Sequence, residues 1–195
     1  MIWTEMESFL VSCGGIFLAE LGDKTQLLCL LLAVKFKRTW PIILGITFAT
    51  LVNHGLAGWV GHLLSQYIHQ DILAWIVGLG FIAMGIWMLI PDKEPDTELD
   101  THVSTKSFFK IFVTAAFVFF MAEMGDKTQL ATVAMAARYD SVLLVVMGTT
   151  LGMLLADIPA VFVGQKLAHI LPMKLIHFIA ALLFIALGIA SLFFV

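Results

Sequence analysis

The sequence predicts an all-α integral membrane protein of six transmembrane helices, built as two inverted three-helix repeats. Three observations carry that prediction. With 195 residues, 61% hydrophobic and 13% charged, and a mean hydropathy of +0.99, the chain lies far from the roughly 25% charged residues of soluble domains. Six apolar segments have about the 20 residues a helix needs to cross the bilayer core: about 8 to 34, 41 to 65, 72 to 90, 108 to 137, 141 to 167 and 172 to 194. And the chain matches itself when 103 is added to a residue number. Glu20 maps to Glu123, Asp23 to Asp126, Gly45 to Gly148, Thr47 to Thr150, Phe81 to Phe184 and Gly85 to Gly188.

Residues 1–90 therefore read as the first three-helix repeat, 91–107 as a connecting segment and 108–195 as the second repeat. Three is an odd number of spans, so the second copy enters the membrane in the opposite sense. That gives an inverted pair related by an axis in the membrane plane, with a site near the midplane at the repeat interface.

Along the chain, Met1 to Ser8 carries Glu5 and Glu7 but no Lys or Arg. It lacks the basic start of a cleavable signal peptide, so the first apolar segment is expected to stay as a helix. Cys13 and Cys29 lie in that segment and read as small packing residues rather than a disulfide or metal site. Pro41, Pro91 and Pro172 stand near segment ends, whereas Pro159 falls inside the fifth and is a candidate kink. Between repeats, Asp92, Glu94, Asp96, Glu98 and Asp100 make an acidic, Pro-containing stretch, composed like a flexible connection. Clustered glycines such as Gly55, Gly58, Gly61 and Gly78 permit close helix packing.

Orientation follows from the eleven basic residues. With Lys24 and Lys127 set aside as intramembrane, Lys35, Lys37, Arg38, Lys93, Lys106, Lys110, Lys166 and Lys174 fall on one side and Arg138 alone on the other. The positive-inside rule then puts both termini outside and the acidic connection in the cytoplasm.

The chemistry is concentrated in one phrase written twice: Ala19-Glu20-Leu21-Gly22-Asp23-Lys24-Thr25-Gln26-Leu27 and Ala122-Glu123-Met124-Gly125-Asp126-Lys127-Thr128-Gln129-Leu130. A charge at the bilayer centre costs at least about 2.5–3.5 kcal/mol, so six at equivalent places mark a working site. On a continuous helix Glu20 and Asp23 share a face with Lys24 beside them, and Glu123, Asp126 and Lys127 repeat this. Inversion brings four carboxylates to a common centre. Hard divalent cations such as Mn2+, Ca2+ and Mg2+ take oxygen ligands, and Thr25, Gln26, Thr128 and Gln129 are candidates for further neutral ones. Gly22 and Gly125 allow either close helix approach or a local break that frees backbone carbonyls.

Four carboxylates and two ammonium groups leave a charge of −2, which one divalent ion neutralises. In the ion's absence protons can do the same, so exchange of a cation for protons is the natural cycle. Lys24 and Lys127 would then balance charge and gate the empty state. The bland alternative makes Glu20 with Lys24, and Glu123 with Lys127, i,i+4 ion pairs that only hold helices, which leaves Asp23 and Asp126 uncompensated. Asn53 and His54 on the second segment, and Asp157 where His54 maps on the fifth, are candidates for a proton carrier or an outer-shell group, or else for packed interhelical hydrogen bonds. His62, His69, His102, His169 and His177 show no metal-ligand spacing, and Met124 does not read as a ligand. A channel or uniporter, an intramembrane acid–base enzyme and a basic amino-acid carrier are the rival functions. They are disfavoured respectively by the inverted repeats, by the two matching copies without a nucleophile motif, and by the buried lysines.

With both Glu-x-Gly-Asp-Lys-Thr motifs, the three-plus-three layout and the short acidic connection, the chain resembles the Gdt-type cation/proton antiporter family of the LysE superfamily. That family includes eukaryotic Golgi manganese and calcium transporters and bacterial manganese exporters. Glu20, Gly22, Asp23, Lys24, Thr25 and Glu123, Gly125, Asp126, Lys127, Thr128 all match its motif. The resemblance implies a non-enzymatic secondary transporter that exports Mn2+, with Ca2+ as a further candidate, in exchange for protons. It also implies that Glu20, Asp23, Glu123 and Asp126 hold the metal. Its partners would be those ions and the lipid bilayer, with no cofactor and no nucleic acid.

Overall fold

A computed structural model of the chain describes residues 2–87, 89, 107–163 and 173–193. Among these residues the fold is all-helical: α1 Ile2–Glu20, α2 Lys24–Phe36, α3 Thr39–Tyr67, α4 Gln70–Trp87, α5 Phe108–Glu123, α6 Lys127–Arg138, α7 Val142–Val163 and α8 Met173–Phe193. The acidic connection lies, apart from Ser107, outside the described residues, as do His102 and His169.

The second, third, fifth and sixth expected segments appear as single helices, α3, α4, α7 and α8. Helix α7 continues through Pro159. The first and fourth do not stay whole. Each is two helices separated by three residues, 21–23 and 124–126, and the α5–α6 pair bends by 74° at its break. Among the described residues, α3 and α7 are each long and apolar enough to cross a membrane, making three spans if the bent pair counts as one.

The breaks have a local cause. Gly22 and Gly125 adopt φ of 81° and 76°, left-handed values that side chains with a Cβ resist. The next residue, Asp23 or Asp126, is extended and caps the following helix, a place where carboxylates are favoured. A broken helix exposes backbone donors that an apolar medium cannot satisfy. Here the chain satisfies them itself. The Gly22 N–H donates to Gln26 Oε1 at 2.9 Å and the Gly125 N–H to Gln129 Oε1 at 2.8 Å, while Asp23 N–H and Asp126 N–H donate to the Glu20 and Glu123 carbonyls at 3.1 Å.

Helices α3 and α7 lie against each other at the centre. Helix α3 packs on α5 and α6 of the other half, and α7 on α1 and α2 of the first. Contacts recur with the halves exchanged. A Cβ on Gly45 would meet Phe112 O at 2.7 Å and Ala116 N at 2.9 Å, and a Cβ on Gly148 would meet Phe9 O at 2.5 Å and Cys13 N at 3.3 Å. Each contact is the other shifted by the 103-residue register. Some residues lie against the residue the register maps them onto: Thr50 Oγ1 lies 3.4 Å from Met153 Sδ, and the Phe81 and Phe184 rings are 5.9 Å apart.

Outward faces are apolar, with Trp40, Trp59, Phe109, Phe117 and Leu143 all exposed, a surface suited to lipid rather than water.

These approaches predict that two glycines of one helix behave differently. Gly45→Ala forces α3 away from α5 and should cost about 1–3 kcal/mol, the usual range for overpacking. Gly55→Ala meets nothing within 4 Å and should be neutral. Thermal unfolding of the two purified variants in one detergent checks this, and equal midpoints would refute the close approach.

Candidate metal centre

The two breaks face each other. Helices α1 and α5 end at Glu20 and Glu123, while α2 and α6 begin after Asp23 and Asp126. Two negative helix ends and two positive ones thus converge, each positive end capped by an aspartate. All four acids are buried: Glu20, Asp23, Glu123 and Asp126 are at most 4% exposed.

Glu20 and Asp23 are neighbours through a turn, with the Asp23 N–H on the Glu20 carbonyl. The continuous helical face expected from their spacing is absent, because Gly22 takes the chain out of the helix between them. The lysines depart further from expectation. Lys24 Nζ reaches across to Asp126 Oδ1 at 2.6 Å, and Lys127 Nζ to Asp23 Oδ1 at 3.5 Å. The two ion pairs are one interaction repeated with the halves exchanged, and each half supplies the counter-ion for the other's aspartate. Their environments differ. The Lys24 side chain is 24% exposed and that of Lys127 2%.

The hydroxyls sit on the glutamates. Thr25 Oγ1 donates to Glu20 Oε1, and Thr128 Oγ1 lies 3.1 Å from Glu123 Oε2 and 3.4 Å from Asp126 Oδ2. The glutamines do something the sequence did not signal. Their oxygens accept from the glycine amides, and their Nε2 atoms tie the breaks to the central helices of the opposite half, Gln26 to the Ala156 carbonyl at 3.0 Å and Gln129 to Asn53 Oδ1. Positions 53 and 156 are themselves related by the 103-residue register, the one signal that would have paired them in advance.

Three of the four acids gather most closely. Glu20, Asp23 and Asp126 each place one carboxylate oxygen within 4.8 Å of the others. With metal–oxygen distances of about 2.3–2.6 Å for Ca2+, oxygens on opposite sides of an ion are about 5 Å apart, so the three fit one coordination sphere. Glu123 stands outside this group on its Thr128 hydrogen bond. One oxygen of each glutamate, Glu20 Oε2 and Glu123 Oε1, has no hydrogen-bond partner among the described residues, which leaves both available to a cation.

Asn53, His54 and Asp157 are buried as well. Both ring nitrogens of His54 and both carboxylate oxygens of Asp157 lack hydrogen-bond partners among the described residues, so neither is a packed group with its bonds made. The groove of about 290 Å³ between α3, α4 and α6, lined by Leu64, Val77, Met84 and Val133 among others, is apolar and touches none of these acids.

Carboxylates and lysines crossed inside an apolar helical body define a membrane protein that handles ions. Comparison with known proteins gives the particular family. The family described as "Divalent cation/proton antiporter GDT1" matches over residues 8–96 and 111–194, and the chain belongs to it. A Vibrio cholerae protein named "Putative manganese exporter" is 45% identical over 97% of this chain and 92% of its own length. "GDT1-like protein 5" of Arabidopsis thaliana is 27% identical over 96% of both chains. The Saccharomyces cerevisiae "Divalent cation/proton antiporter GDT1" is 25% identical over 93% of this chain and 81% of its own. No solved structure matches. The protein is thus a membrane ion transporter and not an enzyme.

The crossed pairs differ in burial, so their loss should differ in cost. Lys127→Met strands a buried carboxylate and should destabilise by roughly 3–5 kcal/mol. Lys24→Met should cost clearly less, since water reaches that side chain. Unfolding midpoints of the two variants, measured against wild type in one detergent at neutral pH, decide it. Equal losses would contradict the unequal burial.

Proposed function

We propose that this protein exports Mn2+ from the cytoplasm in exchange for protons, with Ca2+ as a second substrate. In this reading it is a six-span antiporter of the bacterial inner membrane. Its repeats are residues 1–90 and 108–195, inverted and joined by the acidic cytoplasmic segment 91–107, and both termini are periplasmic. The observation that carries this reading is the gathering of Glu20, Asp23 and Asp126 at two crossed lysine–aspartate pairs. The Vibrio relative's name supports Mn2+, and the family description supports proton exchange. The reciprocal contacts of the halves support the inverted arrangement.

In the cycle, an arriving ion takes the oxygens of Glu20, Asp23 and Asp126, and Asp126 exchanges its lysine for the metal. Asp23 and Asp126 belong equally to a mirror set with Glu123, so an ion can pass from one glutamate to the other while both aspartates keep hold of it. Thr25 and Thr128 orient the glutamates. Gln26 and Gln129 hold the breaks open rather than supplying ligand oxygens. When the ion leaves, protons and the ammonium groups of Lys24 and Lys127 restore neutrality, so an empty charged centre is not crossed.

Mn2+ flux into proteoliposomes with an imposed pH gradient tests the reading. Wild-type flux should follow the gradient and be competed by Ca2+ more than by Mg2+, which dehydrates reluctantly. Asp23→Asn and Asp126→Asn should each abolish it. Flux indifferent to the gradient would make the protein a uniporter or channel, and transport undiminished in both variants would remove the acids from the pathway.

A further inference from the structure

The 103-residue register assigns each contact in one half a counterpart in the other, so a contact made only once marks a departure from that symmetry. Helices α4 and α8, the third of each repeat, obey the register with one another. A Cβ on Gly85 would meet Ala181 O at 2.7 Å, and a Cβ on Gly188 would meet Gly78 O at 2.6 Å, one approach repeated with the halves exchanged. The Phe81 and Phe184 rings lie between these points, and the two helices form one antiparallel unit.

That unit sits unevenly on the rest of the protein. Helix α4 packs on α6, and α8 on α1. The register calls equally for α8 on α2 and α4 on α5, yet among the described residues no comparable contact joins either pair. Helix α1 also closes on α6: a Cβ on Gly15 would meet Met135 Cε at 3.1 Å and Phe184 Cζ at 3.8 Å. Exposure follows the contacts. Met121 and Met124, at the end of α5 and its break, are exposed, while their counterparts Leu18 and Leu21 are half-buried. Leu31 on α2 is exposed, while its counterpart Ala134 on α6 is half-buried.

The covered and uncovered sides are opposite faces of the body. Helix α3 passes α5 at Gly45, near its start, and lies against Val133 and Ala136 of α6 at Gly61, near its end. So α5 occupies the half in which α3 begins, and α6 the half in which it ends. Helix α2 runs toward the start of α3, with Lys35, Lys37 and Arg38 at that junction, and it shares the uncovered half with α5. Lys24, which opens α2, keeps 24% of its side chain exposed, against 2% for Lys127 at the start of α6. An ammonium group in a membrane interior faces water or a counter-charge rather than lipid, so the exposed part of Lys24 marks how far water reaches.

We propose that the α4–α8 unit is the gate of the ion path. Seated on α1 and α6, it closes the centre from the face where α6 ends and leaves a path along α2 and α5 from the face of Lys35, Lys37 and Arg38. Carried across onto α2 and α5, it closes that path and uncovers the one along α1 and α6. The open face is the cytoplasmic one in the orientation proposed above, so the arrangement described is the one that receives an ion for export. This rests on the metal-transport reading above.

The test bridges α4 to α6 in the full-length protein, with Cys13 and Cys29 replaced by alanine, in proteoliposomes. Gly80 and Ala134 line the groove between these helices, and a Cβ on Gly80 would meet nothing within 4 Å. Gly80→Cys with Ala134→Cys should therefore carry Mn2+ until a short, reducible bifunctional thiol reagent joins them. Bridging should abolish Mn2+ flux, leave MnCl2 binding in detergent intact, and be reversed by reductant. Flux that survives bridging would overturn the gate. The mirror pair, Leu31→Cys with Leu183→Cys, should bridge during turnover and stop flux as well, and failure to bridge would refute the movement. Leu31→Cys alone should react with a charged, membrane-impermeant thiol reagent from the face of Lys35, Lys37 and Arg38. No reaction from that face would mean that lipid fills the gap, and would overturn the path. Ala83→Cys with Ala137→Cys, from the same groove, replaces the first pair if that variant does not transport before bridging. Unbridged protein that neither binds nor moves Mn2+ would instead remove the metal reading, and the gate with it.

Discussion

The crossed ion pairs Lys24–Asp126 and Lys127–Asp23 are the constraint on which the rest of the structure depends. A membrane interior tolerates ionised side chains only where each meets a counter-charge, and within either half the counter-charge is insufficient: one glutamate and one aspartate face one lysine. Pairing across the halves joins the two deficits into a single centre. It also dictates how the halves meet, because each lysine must reach the other half's aspartate. The close approaches of Gly45 to α5 and of Gly148 to α1 pack each central helix against the opposite half.

The helix breaks follow from the same demand. An unbroken helix would carry Glu20, Asp23 and Lys24 on one flank and turn the next residues away. Breaking it at Gly22 and Gly125 lets Asp23 and Asp126 cap new helices that start at the centre, so peptide dipoles add to the field that the carboxylates and lysines set. The cost is a freed glycine amide in each half. Gln26 and Gln129 meet that cost with their oxygens while their amide nitrogens anchor the break to the opposite half. One residue type thus closes a backbone defect and fixes the relation of the repeats.

Much of this was legible in the sequence, and the parts that were not have a common origin. Apolar segment lengths and the self-match at 103 residues predicted the central helices and the duplicated acids, because hydropathy and register are properties of the chain taken one position at a time. The sequence singled out Glu20, Asp23, Glu123 and Asp126, and the structure buries all four. The glycines permitted a break without requiring one, and helical spacing was used for residues that the break removes from a helix. The partners of Lys24 and Lys127 lie 102 and 104 positions away, so a reading built on i,i+4 neighbours could not supply them. The glutamines are candidate ligands by their chemistry, and helical spacing does not reveal the glycine amides that also bind their oxygens. Only the location of the orphaned amides shows what their oxygens do.

A motif repeated almost residue for residue has not produced exact repetition in space. The same lysine–aspartate pair is tight and partly exposed at Lys24, and longer and closed at Lys127. Since the paired residues are the same, the difference belongs to what surrounds them. Exchanging the environments of the halves would give a second arrangement with Lys127 opened and Lys24 closed, whose energy is set by the many positions at which the two halves differ. In the proposed exchange cycle two such arrangements would face opposite sides of the membrane. Duplication supplies the shared ion-pairing residues, and the substitutions between the halves set how far the two arrangements differ.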